Sequence, residues 1–210
     1  KSYYAVELQI FHLLSQKSAQ VTDINITEEQ IQQAVQFAEK QQGFQYVQEQ
    51  LEVIHDSLSR TVSVITGKAG TGKTSIMRAI LCAYTHNKYT ITASALSAMA
   101  AQRITEATEF PAMTIHRTLG CQGINKFTFY KDNKLVTNVA FLDEGSMVNA
   151  SLFLAWLEAI DDNTRIIICG DHKQLPPIGY GNVFSDIIDK LDKSCVSQLT
   201  KPMRQAEQSG

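Results

Sequence analysis

Apolar positions change their period near residue 60. Before it, Tyr4, Leu8, Phe11 and Leu14 recur at the three-to-four-residue spacing that lines one face of a helix. Thr27 followed by Gln30 makes a capping-box signature ahead of Ile31, Val35 and Ala38, and Gly43 supplies a stop. A further helix carries Val53, Ile54 and Leu58. The glutamines crowded between Gln30 and Gln50 read as the solvated outer face of these helices, and they form no repeat.

From Thr61 onward the pattern turns to short apolar runs rich in β-branched residues, each followed by a longer helical or loop segment. Strands are predicted over Val62 to Thr66, Tyr89 to Thr92, Val139 to Leu142, Arg165 to Cys169 and Val196 to Leu199. Helices are predicted over Lys73 to Tyr84, Leu96 to Thr105, Ser151 to Ala159 and Val183 to Lys190. Strand, crossover and strand in succession predict an α/β domain, a parallel sheet with helices on both faces. Between Phe127 and Leu135, Asp132 and Asn133 are placed to turn a small hairpin, the plainer reading being a surface excursion.

Composition narrows the class. At 210 residues the chain is one domain, or one plus a fragment, and with 44% hydrophobic and 19% charged residues it is not a disordered chain. Nineteen Lys and Arg against twenty-one Asp and Glu give a net charge of −2, so any nucleic-acid contact must come from a local strip. Cys82, Cys121, Cys169 and Cys195 form no CxxC pair and have too few histidines around them for a zinc pattern. They read as reduced thiols, and a cytoplasmic location is expected. No run approaches the roughly 18 apolar residues of a membrane span, so no membrane partner is expected. The start at Lys1 without a Met and the stop at Gly210 after a polar run read as a piece of a longer protein.

Three segments carry chemistry. Gly67-Lys68-Ala69-Gly70-Thr71-Gly72-Lys73-Thr74 matches G-x-x-x-x-G-K-[ST] in full, with an apolar strand leading in and a helical run from Ser75 leading out. Such a loop turns backbone N–H groups and a helix N-terminus toward a phosphate chain. Gly67, Ala69, Gly70, Thr71, Gly72, Lys73, Thr74 and Ser75 are therefore the candidate nucleotide-binding residues. Lys73 reaches the β- and γ-phosphates, and the Thr74 hydroxyl ligates Mg²⁺. The strand Val139 to Leu142 then delivers Asp143 and Glu144 to the carboxyl edge of the sheet, where open α/β folds bind ligands. Asp143 is the second metal residue, and Glu144 is the group that orients and deprotonates water. The third segment, Gly170-Asp171-His172-Lys173-Gln174-Leu175-Pro176-Pro177, ends another apolar strand in a rigid polar turn, with Gln174 placed to sense a γ-phosphate.

Those segments, with Asp143-Glu144-Gly145-Ser146-Met147 and Met203-Arg204-Gln205-Ala206, occur in the order and spacing of the superfamily 1 helicases. From about Gly43 onward the chain most resembles the RecD group, the alpha subunit of exodeoxyribonuclease V and its stand-alone relatives. The resemblance implies a RecA-like P-loop NTPase domain that uses ATP and Mg²⁺ to move 5′ to 3′ along single-stranded DNA and unwind duplex. It implies a helical lead-in over 1–45, a first motor domain over 46–199 with a strand-separating hairpin at 127–135, and the start of a second motor domain at 200–210. An isolated first motor domain is then expected to turn over little ATP.

The same resemblance carries the adenine-contacting glutamine onto Gln50, by its spacing to Gly67, in preference to Gln30. It carries a γ-phosphate arginine onto Arg204, and the DNA contacts onto Ser97, where the family more often has Thr, and onto His116 and Arg117. Met99 falls where a basic residue is common, and a packing or capping role for His116 stays open beside a contact role. The implied partners are single-stranded DNA, duplex junctions and the other subunits of a RecBCD-like nuclease complex. A relaxase-type conjugation helicase and a nucleotide switch that does not translocate are the alternatives, the latter opposed by Glu144. Nothing in the sequence resembles a nuclease centre.

Overall fold

Capping residues set the first three helices. Ser2 begins α1 (Tyr3–Ser18). Around Thr27, the hydroxyl accepts from the Gln30 N–H while Gln30 Oε1 accepts from the Thr27 N–H, starting α2 (Glu28–Gln42), and Gly43 closes it in the left-handed region at φ 82°. In α3 (Gln48–Ser59), Gln50 Oε1 accepts from the Val47 N–H at 3.0 Å. The computed structural model describes residues 2–124, 126–174 and 182–203.

After α3 come β1 (Val62–Gly67), α4 (Lys73–His86), β2 (Ile91–Ala95), α5 (Ala98–Thr108), β3 (Ala112–Thr114) and α6 (Ile115–Thr118). They are followed by β4 (Cys121–Gly123), β5 (Lys126–Phe127), β6 (Val139–Leu142), α7 (Ala150–Glu158), β7 (Arg165–Gly170), α8 (Val183–Lys190) and β8 (Val196–Leu199). Six strands form one parallel sheet in the order β3-β2-β6-β7-β1-β8, and β4 and β5 form a separate antiparallel pair. Because the six are parallel, the loops after β1, β6 and β7 leave from the same edge.

Alternation along the strands divides the interior into two cores, as a sheet covered on both faces requires. Ile65, Phe141, Ile167 and Cys169 pack beneath α2, α3, α4 and α5. Val62, Val64, Leu142, Ile166 and Ile168 pack on the other face against α1, α6, α7 and α8. This is the doubly covered parallel α/β sheet expected of a RecA-like domain. The helical lead-in belongs to the same cores, since Ile31, Ala34 and Ala38 of α2 share the first and Ile10 and Leu14 of α1 the second.

The first strand residue of β7 ties that lead-in down. Arg165 is 7% exposed, and it donates to the carbonyls of Leu58 (2.6 Å) and Ile24 (2.8 Å), to the Tyr84 hydroxyl (3.1 Å) and to the Thr22 hydroxyl (3.2 Å). All four acceptors are neutral, so the buried charge is solvated by dipoles of the segment before α2, of α3 and of α4. Truncation leaves two buried carbonyls without donors. Arg165→Ala is expected to lower the urea-denaturation free energy of the protein by about 2–4 kcal/mol. A loss below about 0.5 kcal/mol, the range of an ordinary surface change, would show that these bonds carry no net stability.

Several expected boundaries move, each for a local reason. β2 starts two residues later than its apolar run because Lys88 turns at φ 64° and Thr90 is held by Asn138, whose Oδ1 accepts from the Thr90 N–H at 2.8 Å. It then continues through Ala93, Ser94 and Ala95, small residues whose burial an apolar pattern does not signal. α5 starts at Ala98 because the Ser97 hydroxyl caps it. In α1, Leu14 is buried as expected, but Tyr4 and Leu8 are 68% and 51% exposed, and Ile10 and Lys17 complete the buried face. The paired strands of the small excursion are Cys121–Gly123 and Lys126–Phe127, upstream of the expected span, while Tyr130 and Asn133 exchange backbone hydrogen bonds around Lys131 and Asp132.

Candidate active site

The loop between β1 and α4 is built on two glycines that nothing larger can replace. A Cβ at Gly67 would lie 2.6 Å from the Thr71 hydroxyl and 3.0 Å from Leu199. Gly72 sits at φ 90°, and a Cβ there would strike the Gln50 amide nitrogen. Thr71 closes the loop by donating its hydroxyl to the Lys68 carbonyl at 2.6 Å. Lys73, first residue of α4, donates to the carbonyls of Gly67 and of Lys68, the latter at 3.1 Å. The Ser75 side chain does not face the loop, for its hydroxyl donates to Gln42 Oε1 at 2.7 Å, and its carbonyl accepts from the Tyr46 hydroxyl at 2.6 Å. α4 is thereby anchored to α2 and to the turn before α3.

At the carboxyl end of β6, Asp143 and Glu144 take different roles from different backbones. Asp143 Oδ1 accepts from the Glu144 N–H at 2.8 Å, and Glu144 itself adopts the left-handed conformation at φ 55°. A non-glycine residue in that region is strained by roughly 1 kcal/mol, a conformation shared here by Lys88 and by Glu109 at the end of α5. Burial in the cleft pushes the Asp143 carboxyl up to about 6, against the Glu144 N–H and the Lys73 charge, which favour the ionised form.

The turn after β7 is joined to both earlier segments. Ser146 accepts from the Asp171 N–H at 3.4 Å and donates to Gln174 Oε1 at 3.5 Å. His172 Nδ1 lies 2.7 Å from the hydroxyl of Thr66, the residue just before the phosphate loop. Ala69, Gly70, Gly72, Lys73, Thr74, Ser75, Asp143, Glu144 and Gln174 all border one cleft of about 370 Å³. Leu175 to Pro177 and Arg204 to Ala206 lie outside the described residues.

The cleft is lined by the hydroxyl residues Thr74, Ser75 and Ser146 and by the carboxyls of Asp143, Glu144 and Asp171, and of these Thr74 and Asp143 are the two expected as metal donors. Two hard oxygen donors suit Mg²⁺, which is held by few protein groups and takes its other ligands from phosphates and water. A buried carboxyl that is costly to ionise alone fits a position where a cation is to sit.

Gln50 and Gln30 separate cleanly. Both accept a backbone N–H at the start of their own helix, Gln30 from Thr27 and Gln50 from Val47, so what separates them is that Gln50 lies against the phosphate loop. Gln50 is 4% exposed, touches Gly72 and lines a recess of about 440 Å³ with Phe44, Gln45, Val47, Lys201, Pro202 and Met203.

The expected DNA contacts fall on the same sheet edge. β2 and β3 pair in register up to Ala95 and Thr114, so Ser97, His116 and Arg117 follow two adjacent strand ends, and all three are exposed. The Ser97 hydroxyl is already engaged as the α5 cap, accepting from the Ala100 N–H at 3.1 Å. The His116 ring lies beside that of Phe127 of β5, ring centres 6.5 Å apart and planes tilted by 47°, which links the small strand pair to this edge.

Three features escaped sequence reasoning. Arg103 of α5 borders the cleft beside the phosphate loop, which its helical register could have signalled. Ser146 and the Thr66–His172 contact join segments distant in sequence, and only the fold brings them together. Among the described residues no helix is long and apolar enough to cross a membrane.

Comparison with known proteins agrees with this geometry. The AAA domain family matches residues 45–210. The RecBCD enzyme subunit RecD of Mycobacterium tuberculosis is 30% identical over 177 residues, covering 72% of this chain and 31% of the relative. The ATP-dependent RecD2 DNA helicase of Deinococcus radiodurans is 31% identical over 134 residues, covering 64% of this chain and 19% of the relative. Among solved structures, the Pif1 helicase from Candida albicans superposes with a TM-score of 0.56 at 27% identity, covering 76% of this chain and 41% of that one. A Bacteroides Pif1 in complex with ADP-AlF4 shares the fold, with a TM-score of 0.50 at 21% identity over 77% of this chain and 43% of that one. The chain thus spans about a third of the length of the RecD subunit it matches.

Proposed function

This chain belongs to the AAA domain family, in the RecD-like branch of the superfamily 1 helicases, and from that premise we propose that it hydrolyses ATP to drive a DNA helicase. The observation that carries the reading is the meeting of Lys73, Thr74, Asp143, Glu144 and Gln174 around one cleft, from three segments that are separate in sequence. A nucleotide switch needs the loop, and a hydrolase also needs a carboxylate placed to activate water.

In this reading the loop amides and Lys73 hold the phosphate chain, and Gln50 with its recess takes the adenine base. Thr74 and Asp143 hold Mg²⁺, which neutralises charge on the phosphates when bound. Glu144 accepts the proton of the attacking water, and Gln174 reports the γ-phosphate to the segment after β7. Arg103 adds a cation at the same cleft, and Arg204 supplies one from the following segment.

DNA lies across the edge formed by Ser97, His116 and Arg117, the hydroxyl of Ser97 serving the helix cap as well. Movement is 5′ to 3′ on single-stranded DNA, and 1–45, 46–199 and 200–210 act as lead-in, first motor domain and start of the second. Duplex junctions, a RecBCD-like complex and the cytoplasm are the setting of this reading, the complex being supported by the likeness to a RecBCD enzyme subunit RecD.

The deciding experiment is ATP hydrolysis by the full-length protein with and without a single-stranded oligonucleotide. Turnover is expected to rise at least about tenfold with DNA, to fall with added salt, and to vanish in Lys73→Ala. Hydrolysis indifferent to DNA would return the chain to the switch reading and strip Ser97, His116 and Arg117 of their role.

A further inference from the structure

The residue beside Gln50 makes bonds that the hydrolysis site does not explain. Glu49, in the first turn of α3, accepts three hydrogen bonds from the segment after β8. Its Oε1 takes the Thr200 N–H at 2.9 Å and the Thr200 hydroxyl at 2.5 Å, and its Oε2 takes the Lys201 N–H at 3.0 Å. Two residues later the Met203 N–H donates to the carbonyl of Gly70, within the phosphate loop, at 2.8 Å. The segment Thr200–Met203 is therefore a strap, held at one end by a carboxylate of α3 and at the other by the loop. Lys201, Pro202 and Met203 of the strap line the same recess as Gln50, and Met203 also borders the main cleft.

We infer that Glu49 is a positioning residue of the nucleotide site: by holding Thr200 and Lys201 it sets the wall against which the base packs. The inference rests on the reading of that recess as the base subsite. The strap has no regular secondary structure, bends at Lys201 and has little side-chain burial, since Thr200, Lys201 and Pro202 are exposed. Apart from the carboxylate, the strap is tied among the described residues by its continuity with β8, which packs against α3, and by the Met203–Gly70 bond. Burial acts to push the Glu49 carboxyl up, yet the bonds from Thr200 and Lys201 hold it below the usual range, so it stays a charged acceptor near neutral pH. The phosphate loop is braced separately by Thr71 and Lys73, so loosening the strap disturbs the base recess and leaves the phosphate cradle in place.

The test is steady-state ATP hydrolysis by the full-length protein, with inorganic tripolyphosphate as a competitor that uses the phosphate cradle alone. Glu49→Ala is expected to raise KM for ATP about tenfold, the loss of charge-assisted bonds, with kcat within about twofold and tripolyphosphate inhibition unchanged. Glu49→Gln keeps an acceptor for Thr200 and is expected to fall between, and Thr200→Val, which removes the hydroxyl alone, to raise KM about threefold. An unchanged KM in Glu49→Ala overturns the inference, and so does equal weakening of ATP and tripolyphosphate, which would be damage to the loop. Gln50→Ala distinguishes the two failures. If it raises KM while Glu49→Ala does not, only the positioning role falls; if neither does, the base reading falls with it.

Discussion

Glu144→Gln is expected to reduce ATP turnover in the full-length protein by about 10²–10⁴-fold while leaving nucleotide affinity within a few-fold. The change is nearly isosteric, so the Glu144 backbone keeps its turn at φ 55°, its N–H bond to Asp143 and its carbonyl bond to the Met147 N–H at 2.9 Å. What is lost is the ability to take a proton from water. The side chain stands next to Asp143 at the end of β6, on the cleft that Lys73 and Gln174 share, and among the described residues it makes no hydrogen bond or ion pair that would give it a structural task. Single-turnover hydrolysis and equilibrium binding of a nucleotide separate the two effects. Turnover within threefold of the original would remove Glu144 from the chemistry and transfer the base role elsewhere. A collapse of affinity would make it a binding group instead.

The site was legible in the sequence wherever one segment carries its own geometry. The phosphate loop is a contiguous run whose glycines, lysine and threonine imply their own backbone, and it folds as read. Asp143 and Glu144 follow a strand whose apolar pattern ends at Leu142, and the start of the acidic pair coincides with the strand end. The fold was legible for the same reason: Val139–Leu142, Val196–Leu199 and Val183–Lys190 begin and end where their patterns do.

What the sequence hid is contact across the fold. Ser146 looks like an ordinary loop serine, yet parallel packing of β6 beside β7 brings it against Asp171 and Gln174. Arg165 reads as a polar residue at a strand start, and only the convergence of four chain segments makes it a buried hub. β3 and α6 are too short to show a period at all. The α1 face misled because Tyr4 and Leu8 keep helical spacing without being buried, which periodicity alone does not distinguish.

Asp143→Asn is expected to abolish ATP hydrolysis and, at neutral pH, to stabilise the fold. The carboxyl has a folded value of about 6 against an ordinary 3.8, so between those values the folded state binds more protons than the unfolded chain. Stability contributed by the protonated form is complete below about 3.8 and is lost as pH rises through about 6. Above that point the ionised carboxylate burdens the fold by roughly 3 kcal/mol, trimmed to about 2 kcal/mol by solvent at the mouth of the cleft. Asparagine removes the charge and keeps the oxygen that accepts the Glu144 N–H. Urea denaturation should therefore show the variant ahead by about 2 kcal/mol at pH 7.5 and level with the original near pH 4. Mg²⁺ with ATP should narrow that lead at pH 7.5, because a ligand at a hundred times its Kd stabilises the original by about 2.7 kcal/mol and the variant, one metal donor short, by less. The same ionisation makes the affinity of the original protein for Mg²⁺ and ATP fall as pH drops through about 6. A variant no more stable than the original at pH 7.5 would mean that Lys73 and the Glu144 N–H already compensate the charge. The strain of ionised Asp143 is then absent, and with it the argument that this carboxylate is kept at a cost for the sake of a cation.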